Sequence, residues 1–184
     1  MNYQQIIDHY YTPGKLRNIL MVHSRKVADK ALKVCKDSEQ KAFIETAAML
    51  HDIGIIRCDA PGIECYGKEP YICHGRIGAQ MLREDAHQFG MTQEEMEPYA
   101  RVCERHTGAG LTKQQIISQS LPLPPDDFLP ETLEEQIICY ADKFFSKTHP
   151  EVEKSYERAL KSIEKFGEEG AERFKKWHEI FNEK

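Results

Sequence analysis

The chain has 184 residues, 40% of them hydrophobic and 30% charged, a balance that suits a single globular domain with a core of useful size. Its formal net charge of −5 comes without a basic block, which argues against nucleic acid or an anionic membrane as partner. No apolar run is long enough to span a bilayer, and the first residues lack the basic start and apolar centre of an export signal, so a cytoplasmic location with reduced thiols is expected.

In chain order the pattern is helical nearly throughout, which predicts an all-α bundle. A short helix is expected over Tyr3–Tyr10, then Thr12 as N-cap and Pro13 as first residue of a longer one. Leu16, Ile19, Leu20, Val27, Ala31 and Val34 make its apolar stripe, and His23 falls on that stripe. A second helix is predicted over residues 38–53, with Ile44, Ala47, Ala48 and His51 on one face and Gly54 as its stop. Residues 55–73 read as a long loop broken by Pro61, Gly62, Gly67 and Pro70, of the length that often serves as a lid.

His74 opens the next helix, which Gly90 ends. Thr92 and Glu95 form a capping-box pattern, but Pro98 suits a helix start better than an interior, so the main helix carrying Tyr99, Val102, Cys103 and His106 is expected to begin near it. Thr107-Gly108-Ala109-Gly110 breaks the helix directly after His106, and a short helix over Lys113–Ser118 follows. Prolines make residues 121–130 irregular. Thr132 and Glu135 then open a helix whose buried set is Leu133, Ile137, Ile138, Ala141 and Phe145, with Asp142 among them. Pro150 is expected to start a C-terminal helix with Val152, Tyr156, Leu160 and Ile163, and residues 167–170 separate it from a last helix with Phe174, Trp177 and Phe181. Residues 1–184 are therefore read as one domain, with a core over about 13–150 and the C-terminal helices packed on it.

Chemistry concentrates in one ordered set: His23, His51, Asp52, His74, His106 and Asp142. Each sits on an inward helix face or at a helix end, the arrangement by which bundles bring ligands from several helices to one point. Imidazole and carboxylate suit one or two divalent transition-metal ions, iron first among them, or Mn, Co, Ni or Zn. A carboxylate on an apolar face, as at Asp142, needs a partner because an isolated buried charge is very costly. Taken singly, each histidine is more simply a hydrogen-bonded core residue; the joint pattern carries the argument. His9, His87, His149 and His178 lie outside it. Cys35, Cys103 and Cys139 read as buried thiols, and Cys58, Cys65 and Cys73 match no zinc spacing.

His23, the motif His51-Asp52-Ile53-Gly54, and Asp142 within Tyr140-Ala141-Asp142-Lys143 resemble the HD-domain superfamily of metal-dependent phosphohydrolases over roughly residues 15–150. With His74 and His106 the pattern is similar to the subset that holds two metals. The Gly-Tyr-Pro part of the cyclic-dinucleotide phosphodiesterase signature does not follow His106, so that activity is disfavoured. The resemblance implies one metal on His23, His51, Asp52 and Asp142, and a second on His74 and His106, with Asp52 bridging and positioning a metal-bound hydroxide. Two divalent ions less the charges of Asp52 and Asp142 leave about +2, which attracts phosphate oxygens. The expected reaction is hydrolysis of a phosphate ester or anhydride of a small molecule, a nucleotide or dinucleotide in particular, by a cytoplasmic monomer or homodimer. Among the basic groups Arg57, Arg76, Arg105, Lys143 and Lys147, Arg76 and Lys147 are the candidate phosphate contacts, with Lys143 expected on a different helix face from Asp142. Alternatives are a mixed-valent di-iron oxygenase on the same ligands and a non-catalytic nucleotide-sensing module.

Overall fold

The computed structural model describes residues 2–182. It is an all-α bundle in which α1 (Tyr3–Tyr10), α2 (Lys15–Val34), α3 (Lys41–Leu50), α4 (His74–Asp85), α5 (Gln93–Arg105), α6 (Lys113–Ser118), α7 (Leu133–Asp142), α8 (Tyr156–Ile163) and α9 (Glu168–Phe181) follow one another in the chain. The most extensive packing is α4 on α5, α2 on α3 and α2 on α7. Among the described residues, no helix is long and apolar enough to cross a membrane.

Caps set several of the boundaries. Thr92, Thr112 and Thr132 each form a reciprocal capping box with Glu95, Gln115 and Glu135. The first of these explains why α5 begins before Pro98 and carries the proline inside it, against the expectation of a start near Pro98. Pro98 is exposed, so water can bond the Glu94 carbonyl that its missing N–H leaves free. Other boundaries also differ from the sequence reading. The Asn18 N–H bonds the Gly14 carbonyl at 3.0 Å, so α2 starts at Lys15 and Thr12-Pro13 stays outside. The Lys154 N–H bonds the Phe144 carbonyl at 2.8 Å, folding residues 150–154 back against the end of α7. The helix then begins after the Ser155 cap, and Val152 is left 59% exposed. Leu133, expected in the core, is 54% exposed at the first position of α7.

Residues 55–73 are not a structureless lid. Three short strands, β1 (Cys58–Ala60), β2 (Cys65–Tyr66) and β3 (Glu69–Pro70), form a small sheet with β1 in the middle, antiparallel to β2 and parallel to β3. Turns of 3₁₀ helix link it to α3 and α4.

Gly54 also has a different role from the one expected. The α3 helix has already ended at Leu50, and Gly54 sits in the 3₁₀ turn Ile53–Arg57. A Cβ on Gly54 would lie 2.2 Å from the His74 carbonyl oxygen and 2.4 Å from the Gly78 nitrogen. The absent side chain is what lets this turn seat directly on α4.

The C-terminal helices share the core. Phe174, Trp177 and Phe181 of α9 are buried, and the Tyr140 ring of α7 lies 5.3 Å from Phe174 and 5.4 Å from Phe181. His178 meets the Tyr140 hydroxyl at 2.8 Å through Nδ1 and stacks on Tyr156 at 3.8 Å. It is thus a structural residue, outside the candidate set.

Candidate metal centre and its cavity

The six singled-out side chains come from five helices and meet in one buried place. His23 projects from the middle of α2, while the others stand at helix ends. His51 and Asp52 follow the last residue of α3, His74 opens α4, His106 follows α5, and Asp142 closes α7. Local chemistry ends these helices where it does. Gly108 and Gly110 take positive φ (60° and 83°) just after His106, turning the chain away. After Asp142 the N–H groups of Lys143, Phe144 and Phe145 bond carbonyls three residues back, which tightens and closes α7. After Asp52, the buried Tyr11 hydroxyl donates to the Ile53 carbonyl at 2.7 Å and accepts the Ile56 N–H at 3.2 Å, pinning the turn that Asp52 opens.

Two groups share Asp52: His23, His51, Asp52 and Asp142, and Asp52, His74 and His106. The two oxygens of Asp52 divide between them. Oδ2 lies 3.1 Å from Nε2 of both His23 and His51, and Oδ1 lies 3.3 Å from Nε2 of both His74 and His106. On the first side, Asp142 Oδ1 stands 3.0 Å from His23 Nε2 and 3.4 Å from His51 Nε2.

The histidine tautomers bear on what such a site can hold. Nδ1 of His51, His74 and His106 lies 2.6, 2.6 and 2.7 Å from the carbonyls of Ala48, Tyr71 and Cys103. A carbonyl only accepts, so each Nδ1 carries a proton and each Nε2 is the ring atom turned inward as a ligand. His74 and His106 bring their two Nε2 atoms to within 2.9 Å of each other. His51 Nε2 and both Asp52 oxygens are buried without a hydrogen-bond partner. Imidazole nitrogens and carboxylate oxygens converging on one buried point are what a cation requires. Two imidazoles at right angles on one ion, with bonds of about 2.1 Å, would stand about 3 Å apart. The residues present fit a divalent metal on each side of Asp52.

Charges at the site follow the same logic. Burial alone would raise Asp52, but His51 and Lys147 outweigh it and hold the carboxyl well below the usual range. Asp142 is likewise held low against burial by Lys143 and His23. For His51, burial is outweighed by Asp52 and Asp142, and its pKa is pushed up to about 9. On the other side, burial dominates and lowers His106 to about 3. Lys147 Nζ lies 2.6 Å from Asp52 Oδ2, outside hydrogen-bonding angles, so the contact is ionic. Despite burial, Asp52 holds Lys147 well above the ordinary lysine range.

The centre forms the floor of a cavity of about 530 Å³. His74, His106 and Asp142 face into it, Ile63, Tyr71, Phe145 and Phe166 supply apolar wall, and Lys143, Lys147 and Lys154 stand around it. Lys147 is thus at the site. Arg76 is not: it is exposed on α4 and borders a separate small crevice with Ile72 and Glu104. Arg105 is engaged elsewhere, with the Leu129 carbonyl and Glu131. Lys143 does not point away from Asp142; because α7 has ended, its Nζ turns back to Asp142 Oδ2 at 2.6 Å and to the His106 carbonyl at 2.8 Å. Sequence reasoning missed Tyr71, stacked on His74 at 4.7 Å, and Lys154. Lys154 lies at no helical spacing from a ligand, and Tyr71, three residues before His74, sits in a stretch that reads as loop. All six cysteines are buried free thiols, and none joins a candidate metal group among the described residues.

Comparison with known proteins agrees with this geometry. The model of the HD domain matches residues 20–146. The chain belongs to the HD-domain family. An uncharacterized protein of Methanocaldococcus jannaschii is 38% identical over 148 residues, 75% of each chain. A tRNA (cytidine(56)-2'-O)-methyltransferase of Thermoplasma volcanium is 29% identical over 97% of this HD-domain chain and 46% of its own length. The enzyme of the same name from Picrophilus torridus is 32% identical over 58% of this chain and 25% of its own. The HD-domain chain spans less than half the length of either methyltransferase. No solved structure matches it significantly.

Proposed function

We propose that this HD-domain protein is a metal-dependent phosphohydrolase acting on a small phosphorylated molecule, with a nucleotide or dinucleotide as the favoured class. The observation that carries the proposal is Asp52, whose two oxygens face two histidine groups beside a cavity lined in part by Lys143, Lys147 and Lys154. His23, His51, Asp52 and Asp142 would hold one ion, and Asp52, His74 and His106 a second. Bound there, divalent ions would activate a water for attack on phosphorus and offset the charge that builds on the phosphoryl oxygens.

The protein's own groups supply the rest. The carbonyls of Ala48, Tyr71 and Cys103 lock the imidazole orientations and leave Nε2 as the ring atom offered to an ion. Lysines around the cavity offer charge to the non-reacting oxygens, and the apolar wall of Ile63, Tyr71, Phe145 and Phe166 suits the rest of the substrate. The formal charge of −5 favours a small substrate over nucleic acid, although two relatives carry tRNA methyltransferase names. The test is anaerobic phosphate release from a panel of phosphorylated metabolites by protein loaded with Mn, Co, Ni or Fe. Turnover that requires metal and is lost in His51→Ala supports the proposal. Oxygen consumption in a parallel aerobic assay with no anaerobic phosphate release, or binding without product, would replace it with an oxygenase or a sensor.

A further inference from the structure

The two carboxylates at the centre each already have a lysine. Asp142 Oδ2 is paired with Lys143 Nζ and Asp52 Oδ2 with Lys147 Nζ, both at 2.6 Å. These two ammonium groups balance the charge of the two carboxylates. A divalent ion entering the first group must take Asp52 Oδ2 from Lys147, because that oxygen also faces His23 and His51.

The two lysines are not equally placed. Lys143 is held a second time, by the His106 carbonyl at 2.8 Å. Among the described residues Lys147 makes no such backbone bond and Asp52 is its one ion-pair partner; the Tyr71 ring lies 5.7 Å from its Nζ. Its backbone is in the non-helical segment after α7, and its side chain lines the cavity. An ammonium displaced from Asp52 has the cavity to move into.

Resting on the reading that the site takes metal and a phosphate, we infer that Lys147 is an exchange lysine. It neutralises Asp52 until metal binds, and the metal then releases it into the cavity, where it becomes a receptor for a phosphate oxygen. Lys143 stays in place. Metal loading and anion binding are thereby coupled through one side chain, and anion affinity appears only once the ion has displaced the lysine.

Three measurements test this. In Lys147→Met, Mn²⁺ binding to metal-stripped protein tightens about tenfold, since the competitor for Asp52 is gone; a lysine that merely supports the ligands would instead weaken it about 10- to 100-fold on removal. Inorganic phosphate binding to the Mn²⁺-loaded variant weakens about tenfold, as expected for losing a charged hydrogen bond. In unaltered protein, which needs no variant to fold, reductive methylation read by mass spectrometry labels Lys147 poorly without metal, strongly with Mn²⁺, and poorly again when phosphate is added. Lys143 labelling stays low throughout. Unchanged or weaker Mn²⁺ affinity in Lys147→Met, or Lys147 labelling that does not rise with Mn²⁺, would overturn the exchange. None of the three readouts uses turnover, so the exchange and the hydrolase proposal fail separately.

Discussion

Gly54→Ala tests the link between packing and the metal centre with a single methyl group. The added Cβ would stand 2.2 Å from the His74 carbonyl oxygen and 2.4 Å from the Gly78 nitrogen, where ordinary contacts begin at 3.4 Å. Both obstructing atoms are backbone, so no side chain can rotate away. Relief requires α4 and the Ile53–Arg57 turn to separate by roughly 1 Å, an overpacking that costs about 1–3 kcal/mol. For a chain of this size that is a fall in Tm of about 2–12 °C. The displaced strip of α4 begins with His74, whose Nε2 is 3.3 Å from Asp52 Oδ1. A shift of that size takes His74 out of reach of an ion shared with Asp52, while His23, His51 and Asp142 hang from other helices. The expected result is a folded, less stable protein that retains one metal equivalent of two by elemental analysis. An unchanged Tm with both equivalents retained would refute the argument that this glycine sets the distance between the two halves of the site.

Other outcomes follow from the same geometry. His106→Ala should keep the fold and lose the second metal equivalent, leaving the group around His23 intact; two retained equivalents would show that the second group does not hold an ion. Tyr11→Phe removes one buried hydrogen bond to the Ile53 carbonyl and one from the Ile56 N–H. It should destabilise the protein by about 1–3 kcal/mol in a urea titration, and an unshifted midpoint would mean water replaces the hydroxyl. Glu131 is lowered to about 2 by Arg101 and Arg105. A carboxyl depressed in the folded state contributes stability above its unfolded pKa that is lost as pH falls toward the folded value. Urea midpoints should therefore drop between pH 4.5 and about 2, less steeply in Glu131→Gln; superimposable pH profiles would remove this group from the acid response.

How much of this was legible beforehand varied with the range of the interaction involved. Short-range chemistry was legible. Gly108 and Gly110 after His106 act within a turn of where they stand, as does Gly90, which closes the 3₁₀ turn Ala86–Phe89 into which α4 passes after Asp85, and the capping boxes at Thr92 and Thr132 are local hydrogen bonds. Misread boundaries came where a distant group outvoted local propensity. Lys154 bonding the Phe144 carbonyl delayed the C-terminal helix, and pairing among β1, β2 and β3 ordered a stretch whose glycines and prolines suggest only a loop.

The all-α architecture and the six side chains at the centre were already determined by sequence, because helical periodicity and helix-end signals put each of them on an inward face or at a terminus. What only the tertiary structure decided is how those side chains meet and what surrounds them. Asp52 turns one oxygen to each histidine group, and Gly54 exists to admit α4. Lys143 folds back, Lys147 enters the site, and Arg76 stays outside it. The reason is physical. Periodicity specifies a direction from one helix axis, whereas a contact between two helices depends on crossing geometry and on the volume of what lies between them. No single stretch of chain encodes that.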